Sequence, residues 1–446
     1  MKRYICLLVM LFIFTGAKPA AAQQRYIVRS TGGLSSVLNL CKVLGCQVRG
    51  QLDGQIGQSF LVTSTTNLVG NLVGGLVNFL EALLGITSVE LDQLMTIGPH
   101  SLLPSSPSNQ LWQRTPINYY GTTVWYGYAY QPAAHIVRLP DVQNGFHVTG
   151  SGVVADINTG VDPTHPALQG VLMQGYDFTR NQPGASEMLD FMSPYPAACS
   201  GCAPAKVNQS SAAILDQSSA AILDDSHYAA FGHGTMVAGV IHLVAPTARI
   251  LPVKAFHPDG TGYLSDVIRA TYYAVENHAN VINMSFNFTS PSPELTRAMA
   301  YANSHSAICV ASAGNAGRQE YAYPASLRNV MGVASTSDFD ARSSFSNYGP
   351  QVVWVAAPGE QIVSTYPFGT YASSSGTSFS APMVSGGVAL LLGANPNLTS
   401  SAAAAAIAQA QVLTPDLVNG RLDLYRAMWS VSRPNPTPAP SSDDQE

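Results

Sequence analysis

Three segments of the chain set reactive side chains where an apolar run meets a turn. "FGHGTMVAGVI" (231–241) holds His233 between two glycines at the mouth of an apolar helix. "ASAGNAG" (311–317) places Asn315 in a glycine-rich turn after a strand-like run. "SSGTSFSAPMVSGGVALLLG" (374–393) places Ser378 at the start of another apolar helix. A serine hydroxyl is a weak nucleophile until a neighbouring imidazole takes its proton. The oxyanion formed when it attacks a carbonyl needs fixed donors. The backbone N–H of Ser378 at a helix N-terminus and the side-chain amide of Asn315 suit that task. Taken singly, these are an ordinary turn, an ordinary loop and an ordinary helix cap. Together, in this order and at these junctions, they point to acyl transfer.

The elements that must position these groups are legible as alternating patterns. From about Val148 to Trp429, the short apolar runs "GVVADIN", "RILPVKAF", "NVINMSF", "AICVASAG", "VMGVAST" and "QVVWVAAPG" are separated by helical patterns. That alternation predicts an α/β fold, a mostly parallel sheet with helices on both faces. A small α+β unit precedes it. "RYIVR" (25–29) and "QSFLVT" (58–63) read as strands, 68–84 as a helix and "TSVELDQLMTI" (87–97) as a closing strand. Pro, Ser, Asn and Tyr accumulate from Gly98 to about Gln131, which predicts a linker. A long loop is expected over 171–230, where "QSSAAILD" occurs twice in tandem (209–216 and 217–224). Two copies are too few for a solenoid and read as a duplication in an exposed loop. The tail "SRPNPTPAPSSDDQE" is Pro/Ser-rich and acidic, which predicts disorder. The expected boundaries are 1–22, 23–97, 98–131, 132–430 and 431–446.

The 446 residues are 46% hydrophobic and 11% charged, which excludes a disordered chain, and a net charge of −5 offers no basic patch for nucleic acid. Lys2 and Arg3, an apolar run from Tyr4 to Phe14 and the triplet Ala20-Ala21-Ala22 predict a secretory signal cleaved after Ala22, hence export. That run is too short to span a bilayer. The second apolar run, 68–86, is interrupted by Asn71, Asn78, Glu81 and four glycines, so a soluble amphipathic helix is expected and no membrane span remains after signal removal. Of six cysteines, Cys41 with Cys46 and Cys199 with Cys202 form close pairs, either of which could close a small disulfide loop in an exported protein. A zinc site at "CSGC" (199–202) lacks a second His/Cys pair, so no metal is expected there. Cys309 reads as a core thiol.

"GHGTMVAGVI", "LPVKAFHPDGTGYLSDVI", "VINMSF", "ASAGN", "FSNYG", "VAAPGE" and "SSGTSFSAPMVSG" together resemble the subtilisin-like serine proteases, in that family's order, over about Val148 to Trp429. The resemblance implies an exported serine endopeptidase acting on peptide or protein substrates, with Ser378 as nucleophile, His233 as general base and Asn315 as oxyanion-hole amide. It also implies that residues 25–97 are a propeptide that aids folding and then blocks the active site as an intramolecular inhibitor until cleaved. "RLDLYRAM" (421–428) resembles the family's closing segment, whereas Gly98 to Thr149 matches poorly. Calcium is common in the family and stays open here, since no oxygen-rich loop of clear spacing marks or excludes a site; no other cofactor is expected.

Two departures bear on activity. The family's "VAVIDTGVD" carries its triad aspartate just before Thr-Gly, where this chain reads "VADINTGVD" and holds Asn158. The acid orients the imidazole tautomer and stabilises the imidazolium, and its loss costs on the order of 10⁴-fold in turnover. Asp156 lies two residues upstream on the same strand face, roughly 6.5–7 Å away. It reaches the imidazole only if the strand slips, bulges or ends early, so the acid is either Asp156 or absent. Asp162, past the turn, reads as a loop cap. The second departure is "SFN" (285–287), where the family has Ser-Leu-Gly along the wall of its first specificity pocket. Ser285, Phe286 and Asn287, with Gly260 and Gly262 of "DGTGY", are the substrate-pairing candidates. A pseudoprotease, the same fold with a silent triad that binds peptide, is the alternative that Asn158 raises.

Overall fold

A computed structural model describes residues 23–68, 84–97, 108–192, 213–214 and 228–432. They divide into two compact units, one of residues up to 50 with 60–91, the other of 51–59 with residues from 92 onward. The first unit comprises β1 (Gln24–Ser30), α1 (Gly33–Leu44), β2 (Gln47–Gln51), β3 (Ser59–Ser64) and β4 (Ile86–Leu91), with sheet order β2-β3-β1-β4. The expected strands at 25–29 and 58–63 are β1 and β3. α1 and β2 were not expected. α1 turns Val37, Leu40 and Cys41 onto Tyr26, Val28, Phe60 and Val62, the spacing of one helical face. Gly45 ends it in a left-handed conformation (φ 69°), and a Cys41–Cys46 disulfide closes the turn.

The second unit is built on β5 (Leu94–Thr96), β6 (Val153–Asn158), β7 (Arg249–Lys254), β8 (Thr261–Tyr263), β9 (Val281–Met284), β10 (Ile308–Ser312), β11 (Val330–Thr336) and β12 (Val355–Pro358). Its helices α2 (His233–Val244), α3 (Leu264–Glu276) and α4 (Thr377–Ala394) carry or flank the candidate residues. The large sheet runs β7-β6-β9-β10-β11-β12, all parallel, with the short strands Tyr176–Asp177 and Gln182–Pro183 beyond β7. The six apolar runs expected as central strands supply those six. Val154, Ile250, Val310 and Val333 share one core with α2 and α4. Ala155, Ile157, Leu251 and Ile282, which alternate with residues on that face, are equally buried, so both faces are covered. α4 is 18 residues long and apolar on every side because it is a core helix.

Two expectations change. The closing strand expected over 87–97 splits: β4 stops at Leu91, and β5 pairs antiparallel with β8 instead. Asp92 breaks the run because its carboxylate accepts from the backbone N–H and hydroxyl of Ser265 at the start of α3, both at 2.8 Å. The linker expected over 98–131 is, in its described part 108–131, a folded segment. A hairpin of Pro116–Tyr119 and Thr122–Trp125 leads into a helical turn at Tyr126–Ala129. Tyr119 and Tyr128 bury their rings and donate to the carbonyls of Leu243 (2.5 Å) and Gly239 (2.7 Å) on α2. The signal segment, residues 69–83, Cys199, Cys202 and the C-terminal tail lie outside the described residues. So does the tandem repeat, apart from Ala213–Ile214, which pair with Ala372 and Ser373.

α2 enters against the turn after β6. A Cβ at Gly234 would stand 1.9 Å from the carbonyl oxygen of Gly160, an approach only glycine permits. Gly234→Ala should therefore cost about 1–3 kcal/mol of stability and lower the melting temperature by several degrees in a calorimetric scan. An unchanged melt would show that the approach is not a constraint.

Candidate active site

β6 ends at Asn158 with Asp156 on the same face, and its ladder to β7 and β9 runs in unbroken register, with Asp156 opposite Pro252 and Asn283. The strand neither slips nor bulges. His233 is the first residue of α2, and several polar contacts moor that helix start to the turn after β6. The backbone N–H of Gly234 donates to Thr159 Oγ1 at 2.9 Å. Glu187 Oε2 accepts from the backbone N–H of Gly232 at 2.8 Å and from Thr159 Oγ1 at 3.2 Å. Its Oε1 accepts from the Thr235 backbone N–H at 3.2 Å and from the Thr235 hydroxyl. Its oxygens accept from backbone N–H groups of the first helical turn, which have no partners within the helix.

So placed, His233 Nδ1 lies 2.6 Å from Asn158 Oδ1. The same oxygen accepts from the backbone N–H of Thr159 at 2.9 Å. Asn158 Nδ2 donates to Asp156 Oδ1 at 3.3 Å, and Asn283 Nδ2 donates to that Asp156 oxygen at 3.0 Å. The structure brings the Asn158 amide, not the Asp156 carboxylate, to the imidazole and sets Asp156 behind it; the direct carboxylate–imidazole pair that a distorted strand would have allowed is replaced by an intervening amide. Burial drives the Asp156 carboxyl up from 3.8 to about 7, against the two amide hydrogen bonds that favour its charged form.

Ser378, second residue of α4, donates its hydroxyl to the carbonyl oxygen of Ser285 at 3.1 Å, and Ser285 Oγ donates back to the carbonyl of Ser378 at 2.9 Å. The next residue, Phe379, lies with its ring 5.8 Å from the His233 ring, which brings the two helix starts together. Asn315 Oδ1 accepts from the backbone N–H and hydroxyl of Thr377 at 3.0 and 2.8 Å, which turns Nδ2 the other way. A Cβ at Gly376 would sit 3.4 Å from Asn315 Nδ2 and 3.8 Å from the Ser378 backbone nitrogen, so both donors border one small space.

The substrate candidates fall into two segments. Ser285–Asn287 runs beside Ser378, with Phe286 buried against Phe256 (rings 4.9 Å apart). Gly314 (φ 102°) has no room for a side chain: a Cβ would meet Asn287 Nδ2 at 2.9 Å and Asn347 Nδ2 at 2.5 Å. Gly260 and Gly262 belong to the other segment. The Gly260 carbonyl accepts from Ile97 N–H at 2.8 Å, and Gly262 pairs with Met95. Asp162 caps its loop, as expected, by accepting from Thr164 N–H at 2.9 Å. Among the described residues no three His, Cys, Asp or Glu side chains form a metal cluster.

Sequence reasoning missed Glu187, Asn283 and Asn347. Asn347 accepts from Ala316 N–H (3.0 Å) and donates to the Ala313 carbonyl (3.0 Å), fixing the loop that carries Asn315. It stands in "FSNYG", and its place in that motif was the one available signal.

Comparisons with known proteins agree with this architecture. The profile described as the Subtilase family matches residues 150–425. Thermitase of Thermoactinomyces vulgaris is 36% identical over 283 residues, 63% of this chain and 89% of that protein. A thermophilic serine proteinase of Bacillus sp. (strain AK1) is 35% identical over 270 residues, 60% of this chain; the match spans 58% of that relative's length. Among solved structures, a cold adapted subtilisin-like serine proteinase superposes with a TM-score of 0.50 at 29% identity, covering 62% of this chain and 90% of its own.

Burial raises the Glu187 carboxyl from 4.5 to about 8 despite its hydrogen bonds. The folded state then holds this proton more tightly than the unfolded one, so its stabilising contribution is complete below pH 4.5 and is lost as pH rises towards 8. Glu187→Gln should flatten the fall in melting temperature across that interval. A slope identical to the parent's would place the titration elsewhere.

Proposed function

The chain belongs to the subtilase family, and on that footing we propose that it is a secreted serine endopeptidase cleaving peptide bonds through an acyl-enzyme on Ser378. The observation that carries the reading is the pair of donors, Asn315 Nδ2 and the Ser378 backbone N–H, both within 4 Å of one point beside Gly376. In the proposed reaction the hydroxyl leaves the Ser285 carbonyl and attacks the substrate carbonyl while His233 takes its proton at Nε2. The two donors receive the oxyanion, and its collapse expels the amine, which takes the proton from His233. Water then repeats the sequence on the ester. This chemistry asks only for side chains, backbone donors and water.

Substrate would pair with β8 and with Ser285–Asn287 as an extended strand. The ladder of Leu94–Thr96 on β8 supports reading residues 23–97 as a propeptide and 132–430 as the peptidase domain, with removal near 97–115. Asn158 at the imidazole favours a second reading, a pseudoprotease, because an amide brings no charge to the imidazolium.

A fluorophosphonate probe should label the secreted parent and not Ser378→Ala, and N-terminal sequencing should find residues 23 to about 100 removed from the parent alone. An unlabelled, unprocessed parent favours the pseudoprotease. The Asn287 amide narrows the space beside Gly314, so a small residue is expected on the acyl side of the cleaved bond. Asn287→Gly should raise kcat/KM for a phenylalanyl over an alanyl substrate by roughly 10-fold or more; an unchanged ratio would remove Asn287 from the pocket.

A further inference from the structure

A carboxamide can meet an imidazole in two ways. With its oxygen forward it accepts from Nδ1–H and leaves Nε2 as the basic nitrogen. With its nitrogen forward it donates to Nδ1, the ring proton moves to Nε2, and the ring can no longer take a proton from a hydroxyl there. The two orientations occupy the same volume, so packing does not choose between them and only hydrogen-bond partners do.

We propose that Asp156 is a positioning residue: it holds the Asn158 amide oxygen-forward and thereby fixes the tautomer in which His233 can act as a base. This rests on the reading of His233 as the base for Ser378. Asn158 is 1% and Asp156 3% exposed, so water does not stand in for a missing partner. As placed, Asn158 Nδ2 meets the Asp156 carboxylate at 3.3 Å, and Asn158 Oδ1 meets Thr159 N–H at 2.9 Å and His233 Nδ1 at 2.6 Å. A flipped amide would set oxygen against carboxylate and NH₂ against the Thr159 N–H, two buried mismatches at once.

Asp156 is itself held. Its Oδ1 accepts from Asn283 Nδ2 at 3.0 Å, and that amide is oriented in turn because Ser385 Oγ donates to its Oδ1 at 2.9 Å. Asn283 Nδ2 also donates to Ser285 Oγ at 3.0 Å, and Ser285 Oγ to the Ser378 carbonyl, so one buried file of hydrogen bonds joins the imidazole to the backbone of Ser378. Asp156 needs no charge for this task. A proton on Oδ2 leaves Oδ1 an acceptor from both amides, so the orientation holds in that protonated form as well.

The test has a readout independent of turnover. In full-length Ser378→Ala protein with ¹⁵N-labelled histidine, above the ring's titration, the His233 resonance (assigned by its loss in His233→Gln) should show a protonated Nδ1 and an unprotonated Nε2. A ring protonated at Nε2 in the Ser378→Ala protein overturns the proposal, even if every Asp156 variant fails to fold. In Asp156→Leu, the Nε2–H form should appear, and with Ser378 intact kcat should fall about 10- to 100-fold with KM little changed. Asn158→Asp presents oxygens only and needs no orienting partner. In that background Asp156→Leu should cost less than twofold or raise kcat. An equal loss in both backgrounds, or an unchanged tautomer in Asp156→Leu, makes Asp156 merely structural. Absence of hydrolysis with the tautomer as expected would sink the protease reading and leave this one standing.

Discussion

The second unit turns on one short contact, the junction between the start of α2 and the turn that ends β6. Both segments carry groups that must meet within a hydrogen bond's length, and neither can reach far, because one is at a helix terminus and the other at a strand end. Gly234 removes the side chain that would hold them apart, and Thr159, Glu187 and Thr235 supply the bonds that hold them together. Lys254, fully buried, adds a further tie by donating to the carbonyl of Thr159 at 2.6 Å and to Asp190 at 2.9 Å. A buried ammonium survives only with such partners. The carboxylate that receives it is shared with Arg180, which also pairs with Asp177 at 3.0 Å, so two cations face two carboxylates.

The central sheet was legible because its strands are covered on both faces and therefore read as continuous apolar runs. Polar residues within those runs carried less readable information. Asn283 sits in "VINMSF" like an interruption, and its value appears only when β9 is laid beside β6, where it faces Asp156. The spacing of Asp156 and Asn158 put both on one face and left either free to be the imidazole's partner. Regular register alone selects between them, since the residue nearer the strand's end is the one nearer α2. Glu187 escaped notice for a different reason. A carboxylate in a long polar loop reads as solvated, and its burial against a helix start is a property of the tertiary fold.

His233, Ser378 and Asn315 were readable from their immediate neighbours, because each needs glycine or another small residue beside it to fit its junction. α1 was not. Its helix-forming face is carried by Val37, Leu40 and Cys41 among serines and an asparagine, so the local propensity is weak and the packing against β1 and β3 decides the matter. The segment 108–131 shows the same lesson in reverse. Its turn-rich composition suggested an unstructured connection, yet two tyrosine hydroxyls reach carbonyls of α2 and anchor it.

β5 lies on β8 as part of the same covalent chain. A tethered strand is a unimolecular competitor, present at an effective concentration on the order of millimolar however dilute the protein. Any peptide pairing with the edge of β8 that β5 occupies has to displace it, so added peptide alone competes poorly there while the tether is whole. Severing the chain between β5 and β8 turns the same ladder into a bimolecular one, whose occupancy falls on dilution. The wait before such a surface opens is then a matter of departure rate, not of bond-making.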